Sequence, residues 1–135
     1  MLISVAIPAF NEEKLLPQTL AAVEKAQTAF TERGWETEVV VCDNNSTDAT
    51  AKLAEAAGAH VVFEPVNQIS RARNAAGNAA RGDWIVFLDA DSTPCPALMG
   101  RMATLMEDQA VIGAGVQIMM AGITLGGCAG ILFLN

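Results

Sequence analysis

Two aspartates, Asp89 and Asp91, stand one residue apart directly after a run of five hydrophobic residues, Trp84-Ile85-Val86-Phe87-Leu88. Carboxylates this close repel each other unless a positive charge sits between them. A divalent cation such as Mg²⁺ or Mn²⁺ removes that repulsion, because it takes oxygen ligands and also bridges to phosphate oxygens. The same Asp-Ala-Asp-Ser run ahead of Pro94 is equally the composition of a turn that starts a helix, and spacing alone does not separate the two readings. Asp43 also closes a hydrophobic run, Val39 to Cys42. A carboxylate placed there can accept a hydrogen bond from the imide N–H of a pyrimidine base, or can cap a helix starting near Ser46. Arg71 and Arg73 lie two apart and so do not share a helix face. The planar donor fork of arginine suits phosphate or base edges; Arg73 is read as turned toward the site and Arg71 as a surface residue.

Other chemistries find no residues to carry them. His60 is the single histidine, so no Ser-His-Asp or Cys-His arrangement can be assembled, and it reads as structural. Neither a Walker-type phosphate loop nor a glycine-rich dinucleotide fingerprint is present. Met99, Met102 and Met106 follow helical spacing and read as core. The three cysteines, Cys42, Cys95 and Cys128, share no metal-type spacing and read as reduced thiols of a cytosolic protein. The formal net charge of −7 offers no basic surface to a nucleic-acid backbone, yet it leaves room for a nucleotide bound through a metal.

These residues need a scaffold, and the chain supplies one domain's worth: 135 residues, 52% hydrophobic and 17% charged. Leu2 to Ile7 reads as a buried strand stopped by Pro8. A helix with Pro17 in its first turn and Leu20, Val23 and Phe30 on its apolar face follows, interrupted on that face by Gln27 and ended by Gly34. Glu38 to Cys42 is a second strand, Ser46 to Asp48 a cap, and Gly58 the end of the next helix. Ala59 to Phe63 is a third strand. Ile69, Ala72, Ala76 and Ala79 mark a small-residue helix face, closed by Gly82. Trp84 to Leu88 is the fourth strand, Pro96 to Glu107 a helix, and Val111 to Ile118 a fifth strand. Alternating strands and helices predict an α/β fold with a mostly parallel, Rossmann-like sheet and helices on both faces.

In such sheets ligands bind outside the carboxyl ends of the strands. Pro8, Phe10, Asn11 and Glu12 follow the first strand, and Asp43, Asn44, Asn45 and Ser46 the second. Glu64, Asn67 and Gln68 follow the third, and Asp89, Asp91, Ser92 and Thr93 the fourth. Polar and acidic groups therefore gather on one edge, which favours the metal reading of Asp89 and Asp91. Residues 111–135 carry no charge and hold six glycines. They are read as a buried strand followed by packed turns, with a membrane span as the alternative. No signal peptide is visible at the N-terminus.

In order and spacing these segments resemble the family 2 glycosyltransferases of the GT-A fold. The resemblance covers about residues 2 to 100. It rests on Val5-Ala6-Ile7-Pro8-Ala9-Phe10-Asn11-Glu12-Glu13, on Val39 to Thr50, on Ala72-Arg73-Asn74-Ala75-Ala76-Gly77, and on Gly82 to Asp91 with its DxD motif. It implies transfer of a sugar from a nucleotide diphosphate to an acceptor hydroxyl, with inversion, aided by a divalent cation, Mg²⁺ or Mn²⁺. By this resemblance Pro8, Phe10 and Glu12 line the nucleotide pocket, and Asp43 contacts the base with Cys42 beside it. Arg73 lies near the nucleotide. Asp91 meets the metal, while Asp89, with Ala90 between them, lies near the ribose or sugar and is the second metal candidate.

There are departures from the family pattern. Cys42 and Asn45 stand where an aspartate and a glycine are common, and Phe10 where tyrosine is common. The family's general base lies in a later part of the domain, and no acidic residue follows Asp108. The expectation is one domain over residues 1–135, an incomplete GT-A catalytic domain that binds a nucleotide-sugar donor and has no catalytic base of its own. The acceptor (glycan, lipid or small molecule) and the oligomeric state are left open. A cytoplasmic location is expected, with peripheral association at the cytoplasmic membrane face as its variant. Two competing readings are a non-catalytic nucleotide-binding module and a Mg²⁺-binding receiver-type domain; the second needs a downstream lysine, and none follows Lys52.

Overall fold

The structure is a computed structural model that describes residues 1–115 and the backbone of residues 131–134. The chain runs β1 (Leu2–Ala9), α1 (Leu16–Ala26), α2 (Thr28–Thr31), β2 (Glu36–Asp43), α3 (Thr50–Ala56), β3 (His60–Phe63) and α4 (Ile69–Ala79). It continues with β4 (Trp84–Phe87), α5 (Pro96–Met106), β5 (Gly113–Gly115) and β6 (Ile131–Leu134). The sheet has the order β3-β2-β1-β4-β6-β5. The first four are mutually parallel, and β6 runs antiparallel to both β4 and β5. This is the expected α/β sheet, and its order differs from the 2-1-3-4-5 order of receiver-type domains. That reading is set aside.

β1 is central, and alternation along it builds two cores. Ile3, Val5, Ile7 and Ala9 point to one face, where α1, α2 and α5 pack with Leu16, Val23, Phe30, Met99 and Met102. Ala6 points to the other, where α4 and its C-cap lay Ala72, Ala76 and Ala80 against Val40, Cys42 and Ile85. The small side chains of α4 let the helix lie close on the sheet. The three helix-spaced methionines are core, as their period predicts.

Three local expectations are corrected. β1 does not stop at Pro8 but continues to Ala9. Leu88 N–H donates to the Ala6 carbonyl, so Ala6 and, by alternation, Pro8 face β4; the β4 pairing ends at Ala6, and the donor that proline lacks falls where no partner strand remains. The helix expected to run to Gly34 divides at Gln27 into α1 and α2, with the Thr28 hydroxyl donating to the Lys25 carbonyl at the junction. Gly34 and Gly58 have positive φ, +74° and +80°, as expected of helix-ending glycines. Gly82 does not close α4. A Cβ there would lie 2.6 Å from Ser4 Oγ and 2.7 Å from Ser4 N, so glycine is required by close approach to β1.

Of the fifth strand expected over 111–118, Gly113–Gly115 forms; residues 116–118, and most of the uncharged segment, lie outside the described residues. No helix among the described residues is long and apolar enough to cross a membrane.

Candidate functional site

An open cleft of about 560 Å³ lies across the carboxyl ends of β1 and β4, beside the start of α4. Its lining includes Pro8, Phe10 and Glu12 from the first loop, Asn44 from the second, Gln68, Ile69 and Ala72 from α4 and its entry, and Asp89, Ala90 and Asp91 from the fourth. The structure thus brings together six of the residues singled out from sequence. Phe10 is 44% exposed, so its ring is available to stack on a planar ligand.

Three singled-out residues do not line the cleft. Cys42 is fully buried against α4, and burial, then the charges of Glu64 and Asp43, push its thiol up to about 11. Its side chain lies in the core between the sheet and α4. Asp43 is buried at the end of β2, where its carboxylate accepts the Ser46 N–H at 3.2 Å; this bond turns the loop and caps no helix, because α3 begins only at Thr50 with Ala49 as its N-cap. Arg73 reaches the cleft edge through Asp89, Nη2 to Oδ1 at 2.8 Å, with its guanidinium carbon 5.7 Å from the centre of the Phe87 ring. Arg71 pairs with Glu64 at 3.1 Å, the surface role expected of it.

The loops that carry the cleft are tied to one another. Asn11 N–H donates to Ser46 Oγ, Glu12 N–H to Thr50 Oγ1 and Glu13 N–H to Asp48 Oδ2. In return Thr47 N–H donates to Asn11 Oδ1 and Ala49 N–H to Glu13 Oε2. Asn11 and Asn45 adopt left-handed backbone, φ 54° and 62°, which asparagine tolerates better than most side chains.

Two residues anchor the site in ways the sequence reading did not assign. The buried Asn44 amide donates to the carbonyls of Glu64 and Val66 and accepts the Gln68 N–H, so one side chain fixes the approach to α4. The buried Thr19 hydroxyl on α1 donates to the Ala90 carbonyl at 2.7 Å and fixes the turn between the two aspartates. A polar residue on the otherwise apolar face of α1 was the available hint.

Charge in the cleft is unbalanced toward anions. Glu12 is raised above the ordinary carboxylate value, first by burial and then by the charges of Asp91 and Asp48. Asp89 is offset by Arg73. Among the described residues no three His, Cys, Asp or Glu side chains form a complete metal cage. An ion here would draw the rest of its shell from ligand and water, which is how Mg²⁺ is commonly held with phosphates.

The family model described as glycosyl transferase family 2 matches residues 4–126. A Mycobacterium tuberculosis (strain ATCC 25618 / H37Rv) protein named as an uncharacterized glycosyltransferase is 31% identical over 121 residues, 90% of this chain and 51% of that protein. The chain thus spans about half the length of that relative. The structure of S. aureus TarS in complex with UDP-GlcNAc superposes with a TM-score of 0.76 at 25% identity, over 92% of this chain and 36% of that one. M. tuberculosis glucosyl-3-phosphoglycerate synthase, in complex with Mn²⁺, UDP and glucosyl-3-phosphoglycerate, gives 0.66 at 28% identity over 82% and 42%.

Proposed function

The chain belongs to glycosyl transferase family 2, and from that premise we propose that it binds the nucleotide-diphosphate sugar donor for transfer to an acceptor hydroxyl. The observation that carries this reading is the convergence of Pro8, Phe10, Glu12, Asp89, Ala90 and Asp91 on one cleft at the carboxyl ends of β1 and β4. The uridine diphosphate in the two similar structures supports a uridine donor for this chain.

In this reading Phe10 offers its exposed ring to the nucleotide, Asp43 and Arg73 border the base and ribose, and Cys42 packs behind Asp43 in the core. A divalent ion, Mn²⁺ or Mg²⁺, fits the hard oxygen donors of Asp91, with Asp89 adjacent, and would offset the negative charge around Glu12. When bound, the ion neutralises charge building on the departing diphosphate. The protein's own contribution is to fix the two aspartates: Thr19 holds the turn and Arg73 holds Asp89. The sugar passes to the acceptor in a single inverting displacement, with a base taking the acceptor proton. No base is assigned among residues 1–135. Cys42 and Cys95 are free thiols, which suits the reducing cytoplasm as the compartment.

Calorimetric titration with UDP and with GDP, each with and without Mn²⁺, tests the proposal. The expected result is Mn²⁺-dependent UDP binding that Asp91→Asn removes while the variant stays folded. Absence of metal-dependent binding by the folded wild-type chain overturns it.

A further inference from the structure

Arg73 and Gly77 are four residues apart on α4 and therefore lie on the same helix face. That face meets Phe87, the last residue of β4, two residues before Asp89. Two residues of that face meet the Phe87 ring. A Cβ added at Gly77 would stand 3.0 Å from Phe87 Cζ and 3.5 Å from Cε1, so the missing side chain is the space the ring occupies. Over the ring lies the Arg73 guanidinium, 5.7 Å from the ring centre, with its Nη2 on Asp89 Oδ1 at 2.8 Å. Arginine carries a long side chain with large rotamer freedom. Here the ring face and the carboxylate together select one placement.

We propose that Phe87 and Gly77 are positioning residues of the donor site. Gly77 makes room for the ring, the ring supports the Arg73 guanidinium, and the guanidinium holds Asp89. The relay rests on the donor-binding reading above and deepens it. Asp89 is paired and fixed in orientation by this relay, while no ion pair forms at Asp91 among the described residues. Two aspartates of identical type, one residue apart, thereby enter the site with different partners. Neither Phe87 nor Gly77 lines the cleft.

UDP binding by the full 135-residue chain, with and without Mn²⁺, is measured for wild type, Phe87→Leu, Arg73→Met and the double variant. Removing the ring is expected to weaken binding about two- to fivefold, the scale of a partly exposed cation–π contact. In the Arg73→Met background Phe87→Leu adds nothing further, because its effect passes through the arginine. Gly77→Ala supplies a readout that a merely structural role would not give. Alanine is the better helix former by about 1 kcal/mol, which offsets the crowding its Cβ brings at Phe87 Cζ, so the melting temperature changes little while UDP binding falls. Multiplicative losses in the double variant, or a Gly77→Ala chain that binds UDP as wild type does, overturn the relay and leave the donor reading intact. A wild-type chain that binds no UDP overturns both.

Discussion

Thr19→Val removes one hydrogen bond and little else. The two side chains are nearly the same shape, and both are β-branched, so the α1 backbone is left as it was. The lost bond runs from the buried Thr19 hydroxyl to the carbonyl of Ala90, which is itself 5% exposed. Stranding a buried carbonyl costs about 1–3 kcal/mol. The added methyl regains at most about 0.8 kcal/mol of apolar burial, leaving a net loss of about 0.2–2 kcal/mol. For a domain of this size that is a fall of roughly 1–10 °C in Tm. Urea denaturation should show a lower midpoint at an unchanged slope. Because Ala90 is the middle of the Asp89–Asp91 turn, Mn²⁺-dependent UDP binding should weaken as well. Thr19→Ser is the control: it keeps the hydroxyl and loses a buried methyl, so it loses some stability but should bind UDP–Mn²⁺ as wild type does. If valine and serine bind alike, the Thr19 bond does not hold the turn and the reasoning fails.

Gly82→Ala should destabilise by about 3 kcal/mol or more, since its Cβ meets backbone atoms that cannot step aside. Gly34→Ala, at positive φ but in open space, should cost only about 1–2 kcal/mol; urea midpoints compare the two. Burial alone would raise Glu38, but hydrogen bonds from the Ser4 hydroxyl and from the Arg81 amide and side chain, with the Arg81 charge, bring it below its ordinary 4.5. A carboxylate lowered by folding contributes stability that is complete above 4.5 and is lost as pH falls through the lower folded value. Glu38→Gln should therefore flatten the loss of stability on acidification below that pH, read from midpoints across a pH series. Asp91→Asn should bring the Glu12 carboxyl down toward 4.5 without reaching it, because burial, the larger cause, remains; an NMR titration of the side-chain carboxyl carbon follows it.

Much of the fold was legible because its signals are local. Hydrophobic runs closed by glycine mark the strand–helix units, and the rule that ligands sit beyond strand ends turned four scattered loops into one candidate cleft. Pairing partners were less legible. Asp43 ends β2 and Asp91 follows β4, yet the carboxylate of Asp43 accepts the Ser46 N–H while Asp91 lines the cleft. Cys42 was placed beside the nucleotide by resemblance, but the alternation of β2 turns its thiol under α4. Thr19 and Ala90 are 71 residues apart in sequence, and no periodicity encodes a bond over that distance. Gly82 was read as a helix stop because glycine has two uses, backbone freedom and absence of bulk, and a sequence does not say which one applies.

The reciprocal bonds between the loop after β1 and the loop after β2 have a consequence for the thermodynamics of capture. Asn11, Glu12 and Glu13 are each held by a residue between Ser46 and Thr50, and two amides in that second loop are held in return. The floor beneath an incoming molecule is a single cross-braced surface before anything arrives. A molecule settling on it spends little on immobilising those residues, so pre-organisation is built into this side of the cleft. Amide exchange at Asn11, Glu12, Glu13, Thr47 and Ala49 should then slow together and open together, as one cooperative unit.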